Sequence, residues 1–145
     1  MESLTGPAVI EPLPPLGLEA VSGIVGVGID VVDIERMAWT LQRTPRFRTR
    51  VFTEGERAVC DERPEPAASY AARFAVKESV LKVLGEGIFD IRLTDIEVGG
   101  GIDEAPTIAV HGRAAERAAA AGVARWLVSI SHDAGVAAAV VIGVA

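Results

Sequence analysis

The sequence contains a single cysteine, Cys60, so an internal disulfide and a cysteine-based zinc site are both excluded. No apolar run reaches the roughly 18 residues that would span a membrane. The N-terminus lacks a basic segment and opens on acids and prolines, which argues against a secretory signal. The expectation is a cytoplasmic protein with no membrane partner. Lysine is nearly absent. Of 14 basic residues only Lys77 and Lys82 are lysines, and both fall in Lys77-Glu78-Ser79-Val80-Leu81-Lys82. Lysine offers a compact point charge where arginine offers a planar fork, so this segment stands out. There is no internal repeat and no Gly-x-Ser-x-Gly elbow, and no second histidine is placed to build a hydrolase triad.

What is present is globular. Half of the 145 residues are hydrophobic and 23% are charged, which fits one domain able to bury most of its apolar surface. The net charge of −6 argues against nucleic acid as a partner. The charge is unevenly spread. Residues 1–35 contain acids but no lysine or arginine, whereas residues 36–50 carry Arg36, Arg43, Arg46, Arg48 and Arg50 and no acid. Such a segment is either a docking surface for an acidic or phosphorylated partner, or a solvated helix face and loop.

Residues 1–22, rich in Pro, Gly and Glu, read as a loose tail. The β-branched run Ile24 to Val32 suits a buried strand, and Gly26 and Gly28 hint at close backbone approach. Ile34, Met37, Ala38 and Leu41 follow helical spacing, with Asp33 as N-cap and Pro45 as the stop. Thr53-Glu54-Gly55-Glu56 fits a capping box, followed by a short helix through Cys60. Ala67 to Leu84 forms a long helix ended by Gly85. It is apolar around so much of its girth that it should be mostly buried, and its charges then need partners. Strands at Ile96–Val98 and Thr107–Val110 flank a glycine turn. A helix follows over Gly112 to Ala121, with His111 structural at its start. Arg125–Ser131 and Val136–Val144 form a hairpin. The order gives an α+β domain over residues 23–145.

Several polar groups carry chemistry in this pattern. Asp30, after a hydrophobic strand, is either a cap for the next helix or a metal ligand. Glu78 and Lys82 share a helix face at i, i+4, the spacing of an ordinary ion pair but on a largely apolar helix. Arg73 and Lys77 repeat that spacing with like sign, which points to an anion between them, phosphate being the natural candidate, unless Lys77 faces solvent. Gly85 and Gly87 permit a ligand to approach the backbone, although a helix cap alone accounts for Gly85. Ser131 and His132 close a strand at a turn, where a histidine can hold a phosphate or cap the turn.

Together these segments resemble the holo-[acyl-carrier-protein] synthase type of 4′-phosphopantetheinyl transferase. The likeness rests on Gly26-Val-Gly-Ile-Asp30-Val-Val-Asp-Ile-Glu-Arg36, Phe52-Thr-Glu-Gly-Glu56 and Ala72-Arg73-Phe-Ala-Val-Lys77-Glu78-Ser-Val-Leu-Lys82-Val-Leu-Gly85-Glu-Gly87. It continues through Asp95-Ile-Glu-Val98 and Val128-Ser-Ile-Ser131-His132-Asp, in family order, over about residues 23–144. The resemblance implies a single-domain fold with an antiparallel sheet packed on a long helix. It implies transfer of the 4′-phosphopantetheine arm of coenzyme A to a serine of an apo acyl carrier protein, releasing adenosine 3′,5′-bisphosphate. Magnesium is the implied cofactor, with Asp30 and Glu78 as ligands. Lys82 would act on the leaving phosphate, and Glu78 or a water on the metal would take the serine proton. Arg73, Lys77, Gly85, Gly87, Ser131 and His132 would hold coenzyme A.

The same resemblance makes Arg36, Arg43, Arg46 and Arg50 the docking surface for the acidic carrier. It implies a homotrimer whose active sites are shared between subunits, with His132 and Glu78 of one site on different chains. Val32 stands where the larger monomeric class has a second acid, which favours the small trimeric type. Residues 1–22 lie outside the motif pattern. The carrier could serve fatty-acid, polyketide or peptide synthesis. The competing readings are a carrier-binding module without turnover and a magnesium-dependent nucleotide phosphohydrolase with water as acceptor.

Overall fold

The alternation of glycine and branched residues in the first strand decides how the protein is layered. Strand β1 (Ile24–Asp33) turns Val27, Ile29 and Val31 to one face and Gly26, Gly28, Asp30 and Val32 to the other. Strands β4 (Arg125–Asp133) and β5 (Val136–Val144) form the expected hairpin, turning at Ala134 and Gly135, both at positive φ as a two-residue hairpin requires. The computed structural model, which describes residues 23–85, 90–100 and 104–145, places β5 between its neighbours in an antiparallel sheet of order β1-β5-β4. The register pairs Gly28 with Val141 and Asp30 with Ala139. The tail expected over residues 1–22 lies outside the described residues.

Across the inner face lies helix α4 (Pro66–Leu84), closed by Gly85 in the left-handed conformation. The close approach expected from Gly26 and Gly28 is present. A Cβ on Gly28 would overlap the Ser79 carbonyl oxygen, and one on Gly26 would sit 3.1 Å from the Val83 carbonyl oxygen. The backbone of β1 therefore rests directly on α4. Ser79 adds a bond to the next strand, its hydroxyl donating to the Ala139 carbonyl at 3.3 Å. The inward residues Ala137, Ala139 and Val141 of β5 complete a core with Val76, Val80 and Leu81.

Between β1 and α4 the chain makes three helices, one more than the sequence reading contains. Helix α1 (Ile34–Arg43) is capped by Asp33, whose Oδ1 accepts from the Arg36 amide at 2.8 Å. Pro45 ends that helix as expected, and it also starts a second, α2 (Pro45–Val51). A proline stops one helix because it lacks an N–H, and for the same reason it is tolerated at the first position of the next. The capping box at Thr53 and Glu56 opens α3 (Glu54–Asp61). Arg48 on α2 and Asp61 on α3 form an ion pair around the Tyr70 hydroxyl, which donates to Asp61 Oδ1 at 2.7 Å. Burial, followed by the bond to Asp61, pushes the Tyr70 phenol up to about 12, so it stays a neutral donor at physiological pH.

On the other flank of α4, β2 (Ile96–Gly99) and β3 (Thr107–Val110) pair as a separate two-stranded sheet. The architecture is thus α+β with two antiparallel sheets around one long helix, where the sequence reading had one. Helix α5 (Gly112–Ala121) covers the short sheet. Among the described residues, no helix is long and apolar enough to cross a membrane.

Candidate active site

Because Asp33 caps α1, Asp30 is free of that duty. It sits on the inward face of β1, opposite the small side chain of Ala139. The Lys82 ammonium reaches it from the last turn of α4, donating to Asp30 Oδ1 at 3.2 Å and to the Ile29 carbonyl at 2.7 Å. Glu78, one turn earlier on the same helix face, completes a cluster of two carboxylates and one ammonium. Partial burial raises the Glu78 pKa, the negative charge of Asp30 raises it further, and Lys82 offsets part of the effect. Among the described residues no group of three or more metal-ligating side chains is assembled. The two carboxylates nevertheless fit magnesium. It takes hard oxygen donors, and it is commonly bound by one or two carboxylates plus substrate phosphates.

The expectation that Lys77 holds a coenzyme A phosphate is overturned. Its side chain is fully buried, with 0% exposure, and the ammonium is already saturated. It donates to Glu56 Oε1 and to the Leu93 carbonyl, both at 2.8 Å, and to the Ile96 carbonyl. Glu56 also accepts the Thr53 and Val98 amides, each at 2.9 Å. The anion inferred from the Arg73 and Lys77 spacing exists, but for Lys77 it is this carboxylate. Burial lowers the Lys77 pKa, and Glu56 pulls it back up. The pair bolts α4 to the start of α3 and to β2.

Arg73 lies one turn before Lys77, and its environment is different. It is buried, with one nitrogen on Ser69 Oγ at 3.1 Å and another on the Gly100 carbonyl at 3.0 Å. Its Nε has no hydrogen-bond partner among the described residues. Arg73 and His132 line a cavity of about 660 Å³ together with Arg63, Ser69, Gly100 and Ser129. Ser131 is not brought into it. Strand alternation turns Ser131 away from the side that carries Val128, Ile130 and His132, and of the two serines on its side only Ser129 borders the cavity. Gly85 is exposed at the end of α4, and Gly87 lies outside the described residues. Asp30, Glu78 and Lys82 do not line the cavity, so one chain presents two separate groups of polar residues along α4.

Arg36, Arg43, Arg46 and Arg50 are all exposed on α1 and α2, and none has an ion-pair partner among the described residues. The fifth arginine of the run, Arg48, is committed to Asp61 and Tyr70.

A family model described as the 4′-phosphopantetheinyl transferase superfamily matches residues 26–141. The chain belongs to this superfamily, and to its holo-[acyl-carrier-protein] synthase type. A holo-[acyl-carrier-protein] synthase of Streptomyces coelicolor is 47% identical over 119 residues, covering 82% of this chain and 96% of that protein. The Helicobacter pylori holo-[acyl-carrier-protein] synthase, solved in complex with coenzyme A, superposes with a TM-score of 0.70 at 32% identity, over 81% of this chain and 98% of that one. The Bacillus anthracis synthase, in complex with CoA (3′,5′-ADP), gives 0.69 at 29% identity, over 85% and 98%. The chain is an enzyme of the holo-[acyl-carrier-protein] synthase type, and its α+β fold is the single-domain fold of those structures.

Within this transferase, Ser69 and Arg63 are among the cavity residues that escaped the sequence reading. Ser69 carries a usable signal, since it lies four residues before Arg73 and so shares its helix face. Arg63 carries none, because it sits in the loop before α4, where no periodicity links it to a neighbour.

Proposed function

We propose that the chain transfers the 4′-phosphopantetheine arm of coenzyme A to a serine of an apo acyl carrier protein. The convergence of Asp30, Glu78 and Lys82 between β1 and α4 carries this reading. A phosphoryl-type transfer needs little covalent chemistry from the protein. It needs positioning and charge stabilisation, which two carboxylates and an ammonium supply. Asp30 and Glu78 would hold magnesium, which when bound supplies positive charge that polarises the diphosphate. Glu78, or a water that the metal would hold, accepts the serine proton. The serine oxygen then bonds to the phosphorus that carries pantetheine as that phosphorus loses its bond to the bridging oxygen, which leaves with the nucleotide. Lys82 neutralises the leaving phosphate, and adenosine 3′,5′-bisphosphate departs. The buried Arg73 guanidinium, with an unused Nε, and His132 bind coenzyme A phosphate in the cavity. Gly85, exposed at the end of α4, flanks the ligand at its edge. Arg36, Arg43, Arg46 and Arg50 receive the acidic carrier, so salt weakens its binding.

Intact-mass spectrometry of an apo acyl carrier protein tests the reaction. Incubation with the chain, coenzyme A and magnesium should add the mass of one phosphopantetheine, and a chelator should abolish the gain. Coenzyme A consumed without any carrier present would instead assign the chain as a phosphohydrolase.

We further propose that the working unit is a homotrimer in which the cavity of one subunit meets the Asp30, Glu78 and Lys82 cluster of the next. The outer face of the large sheet supports this. Val27 at 59%, Ile29 and Val31 at 58% on β1 and Leu127 at 54% on β4 are bare to solvent on the same outer face, with β5 between the two strands. A contiguous apolar face of this kind is typical of a protein contact. Ile29→Lys should convert the trimer to monomers in light scattering and cut transfer at least tenfold. A monomeric variant with full activity would sink the shared-site arrangement.

A further inference from the structure

Trp39 is 57% exposed on α1, and it is the only exposed aromatic ring among the described residues. The apolar stripe of that helix, Ile34, Met37 and Leu41, faces the core without it. The Arg43 guanidinium lies 4.8 Å from the indole centroid, one helical turn on. Helical spacing puts Arg36 one turn before Trp39, so the three side chains form one ridge with a cation on either side of an aromatic ring. Neither arginine has a carboxylate partner among the described residues.

We propose that Trp39 is the apolar anchor of carrier docking. Its indole seats in an aliphatic patch of the acidic carrier protein, while Arg36 and Arg43 pair with carboxylates around that patch. Rim charges mainly steer encounter and impose salt dependence, whereas affinity concentrates in a few tryptophans, tyrosines and arginines. Stacking on Arg43 holds ring and guanidinium together before the partner arrives, which lowers the ordering cost of binding. This inference rests on the chain being a transferase that acts on a carrier.

Trp39→Ala should raise the KM for apo carrier about tenfold or more while leaving kcat and the KM for coenzyme A as they are. Trp39→Phe should recover part of the loss. The Trp39→Ala effect should persist at high salt, where the arginine contribution is screened. Indole fluorescence of the unaltered protein should shift on titration with apo carrier, and that of Trp39→Phe should not. Normal transfer with the carrier KM of Trp39→Ala within twofold overturns the anchor. So does a change in oligomeric state of that variant, which would assign the indole to a contact between subunits. If the unaltered chain transfers nothing, the transferase reading falls. In that case a carrier-dependent shift of the Trp39 fluorescence still supports the anchor, and no shift overturns it too.

Discussion

Glu78→Gln is expected to make the metal-free protein more stable and nearly inactive. The Glu78 carboxyl is held above its ordinary pKa by burial first and by the Asp30 charge second. The folded state therefore binds this proton more tightly than the unfolded chain does. The stability from that difference is fully present below the ordinary glutamate range and is lost as pH rises through the raised folded value. At neutral pH the ionised Glu78 is thus a liability that glutamine removes. For a domain of this size each kcal/mol relieved raises the melting temperature by about 2–4 °C. Magnesium at millimolar concentration should raise the melting temperature of the unaltered protein and leave that of Glu78→Gln nearly unmoved. Transfer should fall by at least about a hundredfold, because stabilisation worth several kcal/mol is lost with a carboxylate of the pair. Thermal melts at pH 4 and pH 7.5, with and without magnesium, read the first effect, and mass spectrometry of the carrier reads the second. A variant that melts below the unaltered protein at pH 7.5, or one that retains transfer, would contradict the role given to Glu78.

Lys77→Ala should produce the largest loss of stability. It strips the counter-ion from the Glu56 carboxylate and leaves the Leu93 and Ile96 carbonyls without their donor, all in the interior. Breaking a buried pair by removing one partner costs about 3–5 kcal/mol, against a total of about 5–15 kcal/mol for a typical domain. Urea denaturation should show that loss, and the double variant Glu56→Gln, Lys77→Met should recover much of it because no lone charge stays buried. The KM for coenzyme A of the folded Lys77→Ala protein should be unchanged. A loss under about 1 kcal/mol together with a tenfold rise in that KM would restore Lys77 to the phosphate site.

The contrast between the two lysines shows where local reading works. The expected helix α4, its Gly85 terminus, the Asp33 cap and the capping box at Thr53 and Glu56 are all present, because each rests on groups within four residues of one another. Strand β1 and its glycines are legible for a similar reason, since branched residues favour a strand and glycine is required where a helix backbone touches it. The burial expected of the strand holds only for its inner face, and Val27, Ile29 and Val31 are exposed. Helix α2 escapes because a proline that stops one helix can start the next. Lys77 and Lys82 differ by five positions and carry the same charge, and periodicity alone assigns them no different fate. Lys77 became structural because Glu56, 21 residues earlier, is folded against it, whereas Lys82 reaches Asp30, 52 residues away, at a partly open edge. The sequence by itself determined the α+β class, the residue types able to handle a diphosphate and the local capping of each helix, all of which follow from short-range sterics and side-chain chemistry. Only the tertiary structure decided which cation is consumed in the core and which stays available, and which side of β4 carries His132 into the cavity. It also decided that the cavity and the carboxylate pair lie apart on one chain. These outcomes depend on long-range packing, which sets desolvation and direction and has no local signature.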